Sequence, residues 1–366
     1  MEPRQFAVEP NVQKIAVLRA NRLGDLIFIL PALDALRAAY PAAEIVLLGH
    51  AWYHDLLSGR PTPVDRVIAV PPCWNPLEGF VAGEEPAELL AFFAEMQRER
   101  FDLAIQLLGG GRHSNPFVRR LGARLSVGLK TPDAVALDRW VPYMLYQPEI
   151  FRYLEVVALV GALPATVEPR LAVTPRDLAE AAAVVPEGEA PLVVIHPGAS
   201  DSRRRWPPEK FAAVGDAVAA AGAQVAVIGM AEERDLVQGV VGAMQANALD
   251  LCGRLSLRAL TGLLHRSSVM VGNDSGPVHL AEVVGAATVA VYWCGNLITA
   301  GPLTRARHRP VISWQLICPA CGVDCTVYRC DHPDSFVTAV PVDEVRDAAL
   351  DLLAASRVRA PAGSRR

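Results

Sequence analysis

Lysine is nearly missing from this 366-residue chain. Lys14, Lys130 and Lys210 are the only three, and arginine makes up the rest of the 35 basic residues, set against 39 acidic ones. A formal net charge of −4 and a pI near 6.1 leave no basic surplus of the kind a dedicated nucleic-acid binder carries, so no nucleic-acid partner is expected. Long hydrophobic runs are also missing. The most apolar stretch, Val283 to Gly295, has 13 residues, short of the roughly 20 that a bilayer-spanning helix needs. Arg19, Arg22 and Asp25 break up the first apolar stretch, so the N-terminus has no secretory-signal layout and a cytoplasmic chain is expected. In that compartment the seven cysteines read as thiols or metal ligands rather than disulfides. No G-x-G-x-x-G follows the first strand pattern, which weighs against an ordinary NAD-binding half.

What is present is a globular α/β pattern. With 52% hydrophobic and 20% charged residues the chain is too apolar to be disordered, and its length suits two domains. Short apolar runs alternate with helix-period segments, as in a parallel sheet. Lys14–Arg19, Glu44–Leu48, Arg66–Val70 and Asp102–Leu107 read as strands of a first series, with a helix over Leu26–Tyr40. Leu192–His196, Gln224–Ile228, Ser268–Val271 and Thr288–Trp293 form a second series, with helices over Phe211–Ala221 and Pro277–Val284. Between them lies a stretch rich in Pro, Ala and Glu. The expected boundaries are an N-terminal domain over 1–165, a linker over 166–190, a C-terminal domain over 191–345, and a terminal helix with a basic tail over 346–366. Two doubly wound halves carry ligands at the carboxyl ends of their strands.

Three stretches sit at such ends. In Leu23 to Leu36, LGDLIFILPALDAL, Asp25 falls at the strand-to-helix turn. There it can cap the helix, or take a proton from a substrate hydroxyl, or do both. In His196 to Pro207, HPGASDSRRRWP, Arg203, Arg204 and Arg205 follow a strand directly. Forked guanidinium groups there suit phosphate oxygens, and a solvated basic loop is the plain alternative. From Asn273, NDSGPVHLAEVV runs from a strand into a helix opened by Pro277. The amides of Ser275, Gly276 and Val278 are expected to point outward there and favour an anion such as a diphosphate. His279, one turn in, is either a ligand contact or a buried structural histidine.

In this order the three stretches resemble glycosyltransferase family 9, the ADP-heptose:lipopolysaccharide heptosyltransferases, from about Lys14 to about Val345. The resemblance implies the GT-B architecture, two Rossmann-like doubly wound domains facing a central cleft, and metal-independent, inverting transfer. It implies a nucleotide-sugar donor, ADP-heptose, bound to the second domain, and a glycan or lipid-linked acceptor bound to the first. That acceptor class puts the inner face of the cytoplasmic membrane in view as a place of peripheral contact. Asp25 matches the catalytic base. Arg204, two places before Trp206, matches a phosphate-binding position where the family often has Lys, and Arg203 or Arg205 can share it. Asp274, Ser275, Gly276 and His279 match D-[ST]-G-x-x-H, with the Asp expected on the sugar. Gly229 and Glu232 fall where the family contacts ribose, Glu233 being an equal candidate. Arg112, Ser114 and Arg119, in GGGRHSNPFVRR, match the acceptor-side loop and suit an anionic acceptor; a flexible polar loop is the alternative. The chain has no D-x-D, which metal-dependent sugar transferases of the other large class use to hold their cation.

Cys318, Cys321, Cys325 and Cys330 form C-x2-C-x3-C-x4-C within 13 residues, a density that points to a thiolate-bound structural metal, zinc before iron. His332 is a substitute ligand. Disulfides or free thiols remain open, and no cofactor is expected for catalysis.

Overall fold

In the computed structural model, residues 7–75, 85–328 and 330–359 are described, the side chains of residues 358 and 359 excepted. The chain divides into two compact units, Met1–Ala172 and Val173–Arg366. The division falls inside the stretch expected as a linker. The residues just after it form a helix, because Thr174 caps that helix by accepting from the Asp177 amide while Asp177 answers the Thr174 amide.

The first unit runs β1 (Lys14–Leu18), α1 (Leu23–Phe28), α2 (Leu30–Ala39), β2 (Glu44–Gly49), α3 (Trp52–Leu57), β3 (Arg66–Ala69), α4 (Ala87–Arg98), β4 (Leu103–Gln106), α5 (Ser114–Arg120), β5 (Leu125–Lys130), β6 (Arg139–Pro142) and α6 (Glu149–Ala158). Its strands form one six-stranded sheet, ordered β3-β2-β1-β4-β5-β6, with every pair parallel. The second unit runs α7 (Pro175–Val184), β7 (Leu192–His196), α8 (Pro208–Ala220), β8 (Gln224–Val227), α9 (Arg234–Ala243), β9 (Ala248–Asp250), α10 (Leu257–Arg266), β10 (Val269–Asn273), α11 (Gly276–Val283), β11 (Ala287–Trp293), α12 (Cys294–Ala300), β12 (His308–Ser313) and α13 (Val342–Arg359). Its sheet is ordered β12-β11-β10-β7-β8-β9, again all parallel. Read from the first strand of each unit, both sheets follow the 3-2-1-4-5-6 order of the Rossmann fold.

The eight expected strands all form, and β5, β6, β9 and β12 are additional. Three of those four are sheet edges. Their patterns are weak because an edge buries less: β9 has three half-buried residues, and β6 and β12 each carry a proline, tolerated where a ladder N–H is not required. The expected helix over Leu26–Tyr40 is two helices broken at Ile29. Pro31 has no N–H to give the Ile27 carbonyl, so the ladder restarts around it. The terminal helix covers residues 342–359, and the rest of the basic tail, 360–366, lies outside the described residues. Among the described residues no helix is long and apolar enough to cross a membrane.

Each unit has its own core. In the first, Leu89, Phe92, Phe93 and Met96 of α4 pack with Phe117 against β1, β2 and β4. In the second, Trp206, Phe211, Val214 and Val218 meet the sheet from one side, with Val345, Ala349, Leu352 and Leu353 of α13 beside them.

Helices α7 and α10 pack so closely that a Cβ on Gly262 would lie 2.2 Å from the Asp177 carbonyl oxygen and 2.9 Å from the Ala181 Cβ. Alanine favours an exposed helix over glycine by about 1 kcal/mol, but here the neighbour is backbone that cannot yield cheaply. Gly262→Ala is therefore expected to lower stability by about 1–3 kcal/mol in urea unfolding, against the sign that helix propensity alone gives.

Candidate active site

In the second unit three segments meet at the carboxyl ends of the adjacent strands β7 and β10. The loop after β7 enters through Pro197 and Gly198, forms a 3-10 turn over Ser202–Arg204, and is anchored by Trp206, which is 1% exposed. Asn273, at the end of β10, ties the two strand ends together. Its Oδ1 accepts from the Trp206 amide at 3.0 Å, and its Nδ2 donates to the Pro197 carbonyl at 2.7 Å. Asp274 comes next and is buried. Arg204 Nη1 donates to its Oδ2 at 2.6 Å, and its Oδ1 lies 3.1 Å from His279 Nε2. Burial works against the charge on Asp274, but the His279 hydrogen bond and the Arg204 guanidinium hold its carboxyl below the usual range. Burial likewise works against charge on His279. Asp274 and Glu282, the latter 3.6 Å from Nδ1, outweigh it and push His279 up to about 10.

A second histidine extends this group. His196, the last residue of β7, places Nδ1 3.1 Å from Ser275 Oγ and Nε2 3.3 Å from Glu233 Oε2. Glu233 also accepts from the Met230 amide at 2.9 Å. Although burial opposes its charge, the bond to His196 holds its pKa below the ordinary value. A Cβ on Gly198 would come within 1.9 Å of Glu233 Oε1, so the approach of Glu233 requires glycine there.

In the first unit the corresponding strand ends are those of β1 and β4. Arg19 directly follows β1 and is fully buried. Its Nη1 donates to the Leu107 carbonyl beyond β4 at 2.6 Å and to the Tyr153 hydroxyl. Its Nη2 donates to Asp25 Oδ1 at 2.7 Å and Glu149 Oε2 at 3.0 Å, and its Nε to the Asp25 carbonyl at 2.9 Å. Tyr153 donates to Glu149 Oε2 at 2.7 Å. Asp25 is the third residue of α1 and its Oδ2 accepts from the amide of Arg22, the N-cap residue, at 3.1 Å, so it braces the helix start from inside rather than standing at the N-cap. Its side chain keeps 26% exposure. Burial raises its pKa above the ordinary carboxylate value. Arg19 opposes the rise and Glu149 adds to it.

Cys318, Cys321, Cys330 and His332 each offer one ligand atom, and those atoms lie within 4.8 Å of one another, a set that can hold a metal ion. The hydrogen bond from His332 pulls the Cys330 thiol down to about 6, while burial pushes Cys325 up to about 11.

The family description "Glycosyltransferase family 9 (heptosyltransferase)" matches residues 89–321, more than half of the chain. The chain belongs to glycosyltransferase family 9. It is 26% identical over 306 residues to the lipopolysaccharide heptosyltransferase 2 of Salmonella typhimurium, covering 76% of this chain and 82% of that one. In structure it is similar to a family 9 glycosyl transferase from Veillonella parvula, with a TM-score of 0.75 at 20% identity over 95% of this chain and 99% of that one. It is also similar to the E. coli ADP-heptose lps heptosyltransferase II, with a TM-score of 0.74 at 20% identity over 94% and 100%. The chain is thus a glycosyltransferase of the GT-B class.

Within this family 9 enzyme the structure brings together Arg204, Asp274, Ser275 and His279 as the sequence suggested, and adds His196. Several expected positions differ. Glu232 is exposed, and it is Glu233, one residue on, that turns inward to His196. The Val278 amide donates to the Ser275 carbonyl at 3.1 Å inside the first turn of α11, which removes it from the three expected anion donors and leaves Ser275 and Gly276 as the candidates. Asp274 has a side chain only 3% exposed, and each of its oxygens already has one partner, Arg204 or His279. Arg205 points its Nε at the Ala199 carbonyl at 2.9 Å, away from Asp274. Ser114 is buried, donating to the Leu108 carbonyl at 2.7 Å and accepting from Gln106 at 2.6 Å, so its hydroxyl holds the loop rather than facing an acceptor. Arg112 and Arg119 are exposed, and Arg112 borders a cavity of about 270 Å³ with Trp74, His113 and Phe117. Cys325 falls outside the set of four ligand atoms, and His332 is inside it. Sequence reasoning missed Arg19, Glu149 and Tyr153. A buried arginine at the end of a strand was the one signal that could have drawn attention to them.

The raised pKa of His279 makes stability depend on pH. A group whose pKa rises from about 6.5 in the unfolded chain to about 10 in the folded one stabilises fully below pH 6.5 and loses that contribution as pH approaches 10. The stability gap between the wild type and His279→Gln is therefore expected to be widest near pH 6 and to shrink steadily through pH 8 and 10 in urea titrations. A gap that is flat over this range would show that His279 is neutral when folded.

Proposed function

We propose that this family 9 enzyme transfers a heptose from ADP-heptose to a sugar hydroxyl of a lipopolysaccharide core or related glycan, on the cytoplasmic side of the membrane. The observation that carries the donor half is the meeting of Arg204, Asp274 and His279 beside the first turn of α11. A guanidinium has donors to spare beyond its pair with Asp274, and the Ser275 and Gly276 amides lie at the positive end of a helix. Together they suit a diphosphate. In this reading Asp274 acts through Arg204 as a positioning residue, and Glu233, with Gly229, meets the ribose. Arg112 and Arg119 remain the acceptor-side candidates.

Asp25 is the base. The acceptor O–H gives its proton to the Asp25 carboxylate as the oxygen bonds to the anomeric carbon of the donor. The bond from that carbon to the diphosphate breaks, and ADP leaves with the electron pair. Attack opposite the leaving group inverts the anomeric centre. Charge growing on the diphosphate is met by Arg204 and the α11 amides, so no metal is needed for the step. The raised pKa of Asp25 suits this role, because a base works best when its pKa lies near the working pH. The relatives named above, heptosyltransferases by description, support the choice of sugar. The cysteine–histidine set is read as a structural zinc or iron site.

Two measurements test this reading. In a thermal-shift panel of ADP, UDP, GDP, dTDP and CDP, ADP alone is expected to stabilise, by about 2.7 kcal/mol at 100 times its dissociation constant. Selectivity for another base would keep the mechanism and overturn the heptose donor. Asp25→Asn is expected to retain the ADP shift while transfer falls about 10²–10⁴-fold. Transfer that survives in this variant would remove Asp25 from the chemistry.

A further inference from the structure

The segment from 316 to 336 is shaped around its cysteines before any ion is considered. The Cys318 amide donates to the Val323 carbonyl at 2.8 Å, and the Gly322 amide donates back to the Cys318 carbonyl at 2.9 Å. Gly322 has φ +72°, which glycine adopts without a Cβ penalty. The turn carrying Cys318 and Cys321 is thereby fixed by its backbone. Cys330 and His332 approach it from the other end of the segment, completing four ligand atoms within 4.8 Å of one another. Ligands bound tetrahedrally at about 2.3 Å sit about 3.8 Å apart, so each atom has to move inward by under about 1 Å to close on an ion. Cys325 is placed differently. Its sulfur is 4.0 Å from that of Cys330, yet it faces the Val323 carbonyl at 3.6 Å and packs against the apolar core of the second unit.

The same segment clasps the arginine loop. Arg203 Nη1 donates to the Cys330 carbonyl at 3.0 Å, and its guanidinium lies over the Phe336 ring at 5.1 Å. The Phe336 amide donates to the Arg203 carbonyl at 2.7 Å, and Ser335 Oγ to the Arg205 carbonyl at 3.2 Å. Arg204, held between these two clasped neighbours, is the residue that meets Asp274.

We propose that Cys318, Cys321, Cys330 and His332 bind one zinc-class divalent cation as a Cys3His site, with Cys325 outside it, and that this ion fixes the segment that holds Arg203–Arg205 in place for a nucleoside diphosphate. The ligand set stands on its own; the coupling rests on the donor-site reading above.

The full-length protein, loaded with zinc and desalted, is expected to retain one zinc per chain, and Cys325→Ser to retain the same. His332→Ala is expected to bind zinc at least about tenfold more weakly, since even outer-shell losses cost that much. His332→Cys restores binding, and its cobalt derivative shows a stronger thiolate-to-cobalt band than wild type, four sulfurs against three. Loss of zinc in Cys325→Ser with retention in His332→Ala would overturn the ligand set, as would wild type that retains no zinc. For the coupling, stripping zinc with a chelator is expected to weaken ADP binding about fivefold or more, within the usual range of coupling between two sites. Arg203→Ala, which cuts the tie to Cys330, abolishes that dependence. ADP affinity that ignores zinc in the wild type would overturn the coupling. If ADP fails to bind the zinc-loaded protein at all, the donor reading falls while the metal stoichiometry stands.

Discussion

Asp274 is a carboxylate taken almost wholly out of water, and the site at the β7 and β10 strand ends is arranged around that cost. An unpaired buried charge is expensive, so the fold must bring cations to it. One comes from Arg204, in the loop after β7, and the other from His279, one turn into α11. Asn273 and the His196–Ser275 contact also join the same two elements. Because Asp274 needs both partners, it fixes where the arginine loop sits relative to the helix start, which decides whether guanidinium and amides can reach the same anion. Removing one partner would leave opposite charge stranded, and neither element could relax without exposing the other.

Arg19 does the same work in the first unit with the signs reversed. A fully buried cation after β1 gathers Asp25 from α1, Glu149 and the Tyr153 hydroxyl from α6, and the Leu107 carbonyl after β4, three separate segments. Both networks fall at the same topological place. In a 3-2-1-4-5-6 sheet the first and fourth strands are neighbours whose connections leave toward opposite faces, which opens a crevice at their carboxyl ends. The pairs β1/β4 and β7/β10 are those neighbours. The polar residues cannot bury themselves in the apolar core on either side of a sheet, but they can at this opening, where strand-end carbonyls and helix-start amides are left without ladder partners.

Seven of the eight strands legible from sequence are largely buried, where an unbroken apolar run leaves little ambiguity. By contrast, β3 was legible although it is a half-buried edge, and β5 was missed although it is buried. Edge strands such as β9 and β12 bury too little to leave a pattern. The site was legible wherever a residue type carries meaning by its local position: Asp25 behind a glycine at a helix start, or Asn-Asp-Ser-Gly-Pro between strand and helix. It was not legible where partners come from distant segments. Glu149 lies 130 positions from Arg19, and nothing local to it marks it as a partner of that arginine. Ser114 and Glu232 show the complementary error. Each has a suitable side chain in a suitable loop, but the backbone turns the first inward and leaves the second facing solvent, and a shift of one residue gives the inward place to Glu233.

The triple arginine shows why position within a turn outweighs composition. As sequence, Arg203, Arg204 and Arg205 are three equivalent cations. Arg203 and Arg204 lie on a 3-10 turn, where successive side chains leave about a third of a revolution apart, and Arg205 follows it in extended backbone, so the three take different partners. Arg203 is spent on Asp201 and on the segment that carries the cysteines, and Arg205 on the carbonyl of Ala199. Only Arg204 is turned toward Asp274. A cation fixed on both sides in this way has little freedom left to lose when an anion arrives, so more of the interaction energy appears as affinity. The neighbours thus serve the proposed phosphate contact without taking part in it, and lysine at either place could replace the charge but not the forked geometry that pins the turn.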